Sequence, residues 1–221
     1  MPFITQEKAS SVVIAGAGGF GLEILDYLEQ ELYSTNITIA GFIDDNPLSI
    51  QSLNLDYPYL GSITDFQPSN EQQVVIVAIG STKARPLVLQ KLWNNGVVTP
   101  TYIHSTALVS PTAQLGQAVI VCPFSIVNRN AVVKDGTVIN VHCSVGHSAS
   151  IGSYSILSPY AALNGDASIG DNCFLGTRST IYPQISIGDM CIVDSHTGVR
   201  THAENRHMIS SRGTYQSCRI R

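Results

Sequence analysis

Charge is scarce in this chain of 221 residues, with Asp, Glu, Lys and Arg together making up 13%. Twelve Lys and Arg against 16 Asp and Glu leave a formal net charge of −4. There is no basic surplus with which to neutralise phosphates, so a nucleic-acid partner is not expected. No apolar run approaches the roughly 20 residues needed to cross a bilayer. The opening residues, MPFITQEKAS, lack the basic-then-apolar order of a signal peptide. The expectation is a soluble, cytoplasmic protein without membrane contact. CxxC pairs are missing too. Five cysteines (Cys122, Cys143, Cys173, Cys191 and Cys218) are an odd number, which argues against a disulfide framework.

What is present is a repeat. Every sixth residue from Ile103 through Val109, Leu115, Val121 and Val127 to Val199 is Ile, Leu or Val, seventeen positions without an insertion. If such residues make up about a quarter to a third of a chain, chance gives this on the order of once in a hundred million or less. Two residues before each aliphatic stands a mostly small residue, such as Ala131, Cys143, Ala149, Cys173 or Cys191. Gly is frequent just after it, as at Gly116, Gly146, Gly152, Gly170, Gly176 and Gly188. Neither a helix nor an alternating strand has a period of six. Short strands joined by tight turns, three to a coil around a triangular prism, do. One large and one small side chain from each strand would fill the interior, with Gly and Asn expected at the turns. Cys143, Cys173 and Cys191 fall in the small inward register and read as packing residues. On these residues, 103–199, the chain resembles the hexapeptide-repeat transferases, which implies a left-handed parallel β-helix.

The preceding residues have a different pattern. VVIAGAGGFGLEILDYL at 12–28 predicts an apolar strand, a glycine turn and an amphipathic helix, with Gly16, Gly18 and Gly21 in GxGxxG spacing. Bare backbone at a helix N-terminus cradles phosphates. ITIAGFIDDNP predicts a second strand ending at Asp44 and Asp45, and VVIVAIG a third over 74–80, followed by a helix around Ala84–Trp93. A full dinucleotide fold needs two such halves, and the repeat begins before a second would fit. The fold expected is an α/β Rossmann-like half domain, 1–100, followed by the β-helix, 101–221. A nucleoside diphosphate is therefore favoured over NAD as its ligand. The competing reading of Asp44–Asp45 is a solvated turn before Asn46–Pro47.

The order GAGGFG, GFIDDNP, YLG and VAIG ahead of a β-helix resembles the NeuD/PglD-like sugar acyltransferases across nearly the whole chain. The resemblance implies that Gly16, Gly18, Gly19 and Gly21 approach the diphosphate of a nucleotide-linked sugar. Asp44 and Asp45 would hydrogen-bond its base or ribose, and Gly80 would leave it room. It further implies acetyl-CoA as co-substrate and a homotrimer with CoA lying between neighbouring subunits. His147 aligns with the family's general base, and Gly165, eighteen residues or one coil on, with the glycine whose amide faces the thioester carbonyl.

Several features depart from that pattern. The acidic neighbours expected beside His147 are Gly146 and Ser148 here; Ser148 can orient the ring but supplies no charge. A second histidine found in relatives is Ile156, and the ending RTHAENRHMISSRGTYQSCRIR lacks Gly-x-Pro-Ala-Lys/Arg. The leading expectation is N-acetylation of a nucleotide-linked amino sugar in surface glycan or lipopolysaccharide synthesis. A base without a carboxylate suits an amine better than a hydroxyl. The alternatives are O-acetylation of a sugar of the sialic acid type, or a catalytically weak sugar-nucleotide-binding protein. A zinc site of the γ-carbonic anhydrase kind, using His142 and His147, lacks a third ligand. The matching position is Thr106, while His104 is out of phase and His196 is three coils away. No metal is expected.

Overall fold

The computed structural model describes residues 3–4, 9–48 and 56–211; Cys218 lies outside them. Strands β1 (Phe3–Ile4) and β2 (Ser11–Ala15), helix α1 (Gly19–Leu32), β3 (Thr38–Ile43), β4 (Gln73–Val77) and helix α2 (Ala84–Asn94) precede the repeat. β2, β3 and β4 form a parallel sheet in the order β3-β2-β4. Buried on both faces, β2 and β4 are near-continuous Val and Ile, as parallel strands require. The chain leaves β2 toward β3 on one side and later returns to β4 on the other. That reversal places a crevice at the carboxyl ends of β2 and β4, where open α/β sheets take their ligands.

From β5 (Thr101–Ile103) onward the chain winds as a left-handed parallel β-helix. Through Val199 two-residue strands recur every six residues and pair with the strand eighteen residues away, as in Val133↔Ile151 and Val145↔Leu163, while the last strand, Met208–Ile209, pairs with Ile192–Val193 at a spacing of sixteen. Three parallel sheets result. The aliphatic register forms the interior, with Val121, Val145, Leu163 and Ile181 all buried. The small register does more than save space. Ser125 Oγ donates to Asn140 O at 2.7 Å, Thr137 Oγ1 to Gly152 O at 3.0 Å, and Ser155 Oγ to Gly170 O at 2.9 Å. Cys143 and Cys173 aim Sγ at Ser158 O and Gly188 O, both at 3.1 Å. Small side chains thus bond to carbonyls of the next coil, of which Gly152 O, Gly170 O and Gly188 O accept no other backbone bond among the described residues. Burial pushes the Cys143 thiol up to about 12 and that of Cys173 to about 11, which suits packing and not nucleophilic chemistry.

The turns correct an expectation. The left-handed backbone conformation falls at every sixth residue from Ala118 to His196, and its occupants include Phe124, Asn130, His142, Ser148, Tyr154 and Asp166, with φ between 55° and 64°. Gly136 is the one glycine in that series. The glycines after the aliphatics answer a close approach instead. A Cβ on Gly146 would lie 2.5 Å from the carbonyl carbon of Asn164, and one on Gly152 2.3 Å from that of Gly170. The cost of roughly 1 kcal/mol for an L-residue at a left-handed corner is offset by the ladder bonds on either side.

The two parts share a core. The outward residues Tyr102, Ile120, Val138 and Ile156 of one prism sheet are buried against Ile24, Leu28 and Leu32 of α1 and Phe3 of β1. β1 itself pairs antiparallel with β5. Arg85 of α2 is fully buried. Its guanidinium donates to the carbonyls of Val77 and Gly136, and to that of Ala118 at 2.8 Å. It joins the end of β4 to two successive coils, and desolvation pulls its pKa down to about 9. His104 lies 3.5 Å from Glu31 of α1, and the Ser105 amide donates to the same carboxylate at 2.9 Å.

Candidate functional site

His147 is exposed at the corner that Ser148 turns, with a side-chain accessibility of 67%. One coil further on, Gly165 lies beneath the ring. A Cβ built there would stand 2.4 Å from Nε2 and 2.6 Å from Cε1, so only a glycine leaves the imidazole its place. The Gly165 N–H donates to no protein acceptor among the described residues. A basic nitrogen therefore stands against the residue whose amide is left open. That pair can accept a proton and stabilise an oxyanion.

Ser148 stands next to the ring in sequence, but among the described residues its hydroxyl makes no hydrogen bond. A carboxylate that sequence reasoning passed over is closer to hand. Asp166 Oδ2 lies 4.0 Å from His147 Nδ1. It comes from the coil of Gly165 and occupies the corner equivalent to Ser148, and its amide donates to His147 O at 3.0 Å. The spacing of eighteen that links His147 to Gly165 also links Ser148 to Asp166, and it is the sequence signal for this neighbour. Ile156, where relatives carry a second histidine, is buried beneath the front domain.

His142 occupies a different corner. Its ring is sandwiched between Phe124, at a centroid distance of 5.1 Å, and Tyr160, at 4.7 Å, with interplanar angles of 15° and 9°. His142 and His147 therefore do not converge. Among the described residues no three His, Cys, Asp or Glu gather as a metal-binding group.

At the front-domain crevice the glycines divide the work. Gly16 has φ +102°, and a Cβ there would meet Ala78 O at 2.9 Å, while a Cβ on Gly21 would meet Gly16 O at 2.1 Å. These two let the loop, α1 and β4 close on one another. Gly18 and Gly19 are exposed with open space where a side chain would stand, and so is Gly80 beyond β4. Gly18 is the N-cap of α1 and caps it with no side chain, which leaves the helix amides open to an anion.

The two aspartates part company. Asp44 is half-buried and accepts from Ala17 N at 2.9 Å and from Asn46 N at 2.8 Å. Its carboxylate holds the glycine loop. Asp45 turns away toward Lys91 Nζ, at 3.4 Å, and Thr64, and sits outside the loop cluster.

Comparison with known proteins agrees with this layout. Residues 11–92 match the family model described as the PglD N-terminal domain, and residues 167–195 match the hexapeptide repeat of succinyl-transferase. The acetyltransferase domain of PglB from Neisseria gonorrhoeae is 25% identical, covering 88% of this chain and 93% of that one with a TM-score of 0.77. The same domain solved with acetyl coenzyme A is 26% identical, covering 89% and 93% with a TM-score of 0.77. PerB from Caulobacter crescentus, solved with CoA and GDP-perosamine, is 26% identical, covering 88% and 91% with a TM-score of 0.76. With a PglD-type N-terminal domain ahead of hexapeptide repeats, and the likeness running along most of its length, the chain is similar in both of its parts to the NeuD/PglD-like acyltransferases.

Proposed function

We propose that this protein transfers an acetyl group from acetyl-CoA to the amino group of a nucleotide-linked amino sugar, in surface glycan or lipopolysaccharide synthesis. The observation that carries the reading is His147 Nε2 standing where a Cβ on Gly165 would lie, beside a residue whose amide has no protein acceptor among the described residues, in a chain similar along most of its length to PerB solved with CoA and GDP-perosamine. The glycine loop and the open N-terminus of α1 receive the diphosphate. His147 takes the proton that the amine sheds as it attacks the thioester carbonyl, and the Gly165 amide donates to the oxyanion; collapse of that intermediate breaks the C–S bond and expels the CoA thiolate, which takes up the proton held by His147.

The acceptor is assigned as an amine because a neutral amine is already nucleophilic and gives up its proton only as the new bond forms. Asp166 is the specific observation on the other side, since a carboxylate beside the base would also serve a hydroxyl acceptor. The working unit is a homotrimer in the cytoplasm, where both co-substrates are made, with CoA bound between subunits. The flat prism faces left uncovered by the front domain support this.

Release of CoA thiol from acetyl-CoA, followed with paired amino and hydroxyl forms of GDP-, UDP- and dTDP-linked deoxysugars, tests the reading. One amino form should be turned over, and His147→Ala should lower kcat by roughly 10²- to 10⁴-fold. CoA affinity should stay within about threefold. Preference for the hydroxyl form moves the assignment to O-acetylation. Wild-type turnover by His147→Ala removes the base.

A further inference from the structure

The imidazole of His147 has two nitrogens with different surroundings. Nε2 stands where a Cβ on Gly165 would lie, while Nδ1 is the nitrogen 4.0 Å from Asp166 Oδ2. Neither Gly146 nor Ser148 offers a charge on the histidine's own coil. Arg129 stands at the equivalent position of the preceding coil, eighteen residues back, and Asp166 belongs to the following one.

We propose that Asp166 is the positioning residue for His147, reaching across from the neighbouring coil to hold the Nδ1–H tautomer and leave the Nε2 lone pair over Gly165. The inference rests on the reading of His147 as the base. A histidine's other nitrogen fixes which one is free to act, and a carboxylate at Nδ1 also steadies the imidazolium that forms when Nε2 takes a proton. The 4.0 Å separation exceeds a hydrogen bond, and both side chains are more than half exposed. Catalytic contacts are commonly long before substrate binds and close once it excludes water. The backbone bond from Asp166 N to His147 O, 3.0 Å, already fixes the two corners against each other. Only the side-chain torsions of Asp166 and His147 need change for contact.

The test uses the full-length protein and two readouts. The first is the long-range ¹H–¹⁵N spectrum of histidine-labelled protein at pH 8.5, with the His147 signals identified by their loss in His147→Gln. Wild type should show the Nδ1–H form. Asp166→Asn should shift it toward the Nε2–H form that free histidine prefers, and Ser148→Asp added to Asp166→Asn should restore Nδ1–H from the histidine's own coil. The second readout is acetyl transfer to the amino sugar turned over above. Asp166→Asn should lower kcat about tenfold, at the low end for general-base effects because the pair is exposed, with KM for acetyl-CoA within about twofold. Ser148→Asp should recover most of the loss. In a His147→Ala background Asp166→Asn should cost nothing further, since residues acting as one unit are not additive. An unchanged tautomer in Asp166→Asn, or an undiminished Asp166→Asn effect without His147, overturns the proposal. Wild-type turnover by His147→Ala would instead overturn the base, and the spectrum would still report on Asp166.

Discussion

Replacing Gly165 by alanine adds one methyl group at the most constrained point of the site. The new Cβ would lie 2.4 Å from His147 Nε2, whereas ordinary contact begins at 3.4 Å, so the ring must retreat by about 1.0 Å. It is free to do so, being two-thirds exposed. The backbone should tolerate the change, because Arg129, His147 and Pro183 carry side chains at the same register of other coils. Stability should therefore stay within about 0.5 kcal/mol, or about 2 °C in Tm. Catalysis should not. A misplacement of about 1 Å costs on the order of 10²-fold, so Gly165→Ala should lower kcat about a hundredfold in the thiol-release assay. Acetyl-CoA should still raise the melting temperature, as a ligand of the folded state does. Turnover within twofold of wild type would show that the position of the ring over Gly165 is not used. A large fall in Tm would recast Gly165 as a packing residue.

Arg85→Met removes a buried fork that serves carbonyls of β4 and two coils, and should destabilise by about 3 kcal/mol or more, or roughly 6–12 °C in Tm. Arg85→Lys should recover little, since an ammonium cannot reach all three carbonyls. For His104 burial pulls the pKa down and outweighs the opposing pull of Glu31. The unfolded chain then binds the proton more readily, so this contribution is full above about pH 6.5 and is lost as pH falls below it. Between pH 7.5 and 5.5, Tm should drop less in His104→Gln than in wild type, and equal drops would refute the assignment. Asp44→Ala should weaken sugar-nucleotide binding about tenfold or more by releasing the Ala17 amide, with acetyl-CoA affinity unchanged. Asp45→Ala should stay within about twofold by titration calorimetry, because that carboxylate faces Lys91.

The period of six makes the prism legible, because a side chain every sixth residue has one place to go in a narrow triangular interior. Three periods close a coil, so the same count sets Gly165 beside His147. The period says nothing of the corners, where backbone geometry is imposed by the winding and accepts Phe124 or Tyr154 as readily as Asn130. It also leaves Asp44 and Asp45 as an undivided pair, since adjacent residues in a turn diverge according to tertiary contacts. Asp166 escapes a reading of the residues flanking the base, where Gly146 and Ser148 stand, because it approaches from the next coil. The outward column Ile120, Val138, Ile156 and Phe174 is visible in the sequence as a second apolar series with a spacing of eighteen. Its meaning depends on α1 lying beside it.

The clamping of α1 onto that column divides the stack in a way that bears on how the molecule comes apart. In a solenoid each coil contacts only its neighbours, so unfolding is a local event that propagates from an end. The coils that carry Tyr102, Ile120, Val138 and Ile156 are held by the front domain, whereas the outward Ile192 and Met208 of the last strands remain 46% and 67% exposed. Fraying should start at the carboxyl end, and amide protons there should exchange first. His147, Gly165 and Asp166 lie upstream of that end, in or beside the clamped coils. The terminal coils should open and reclose while the corner formed by His147, Gly165 and Asp166 stays assembled.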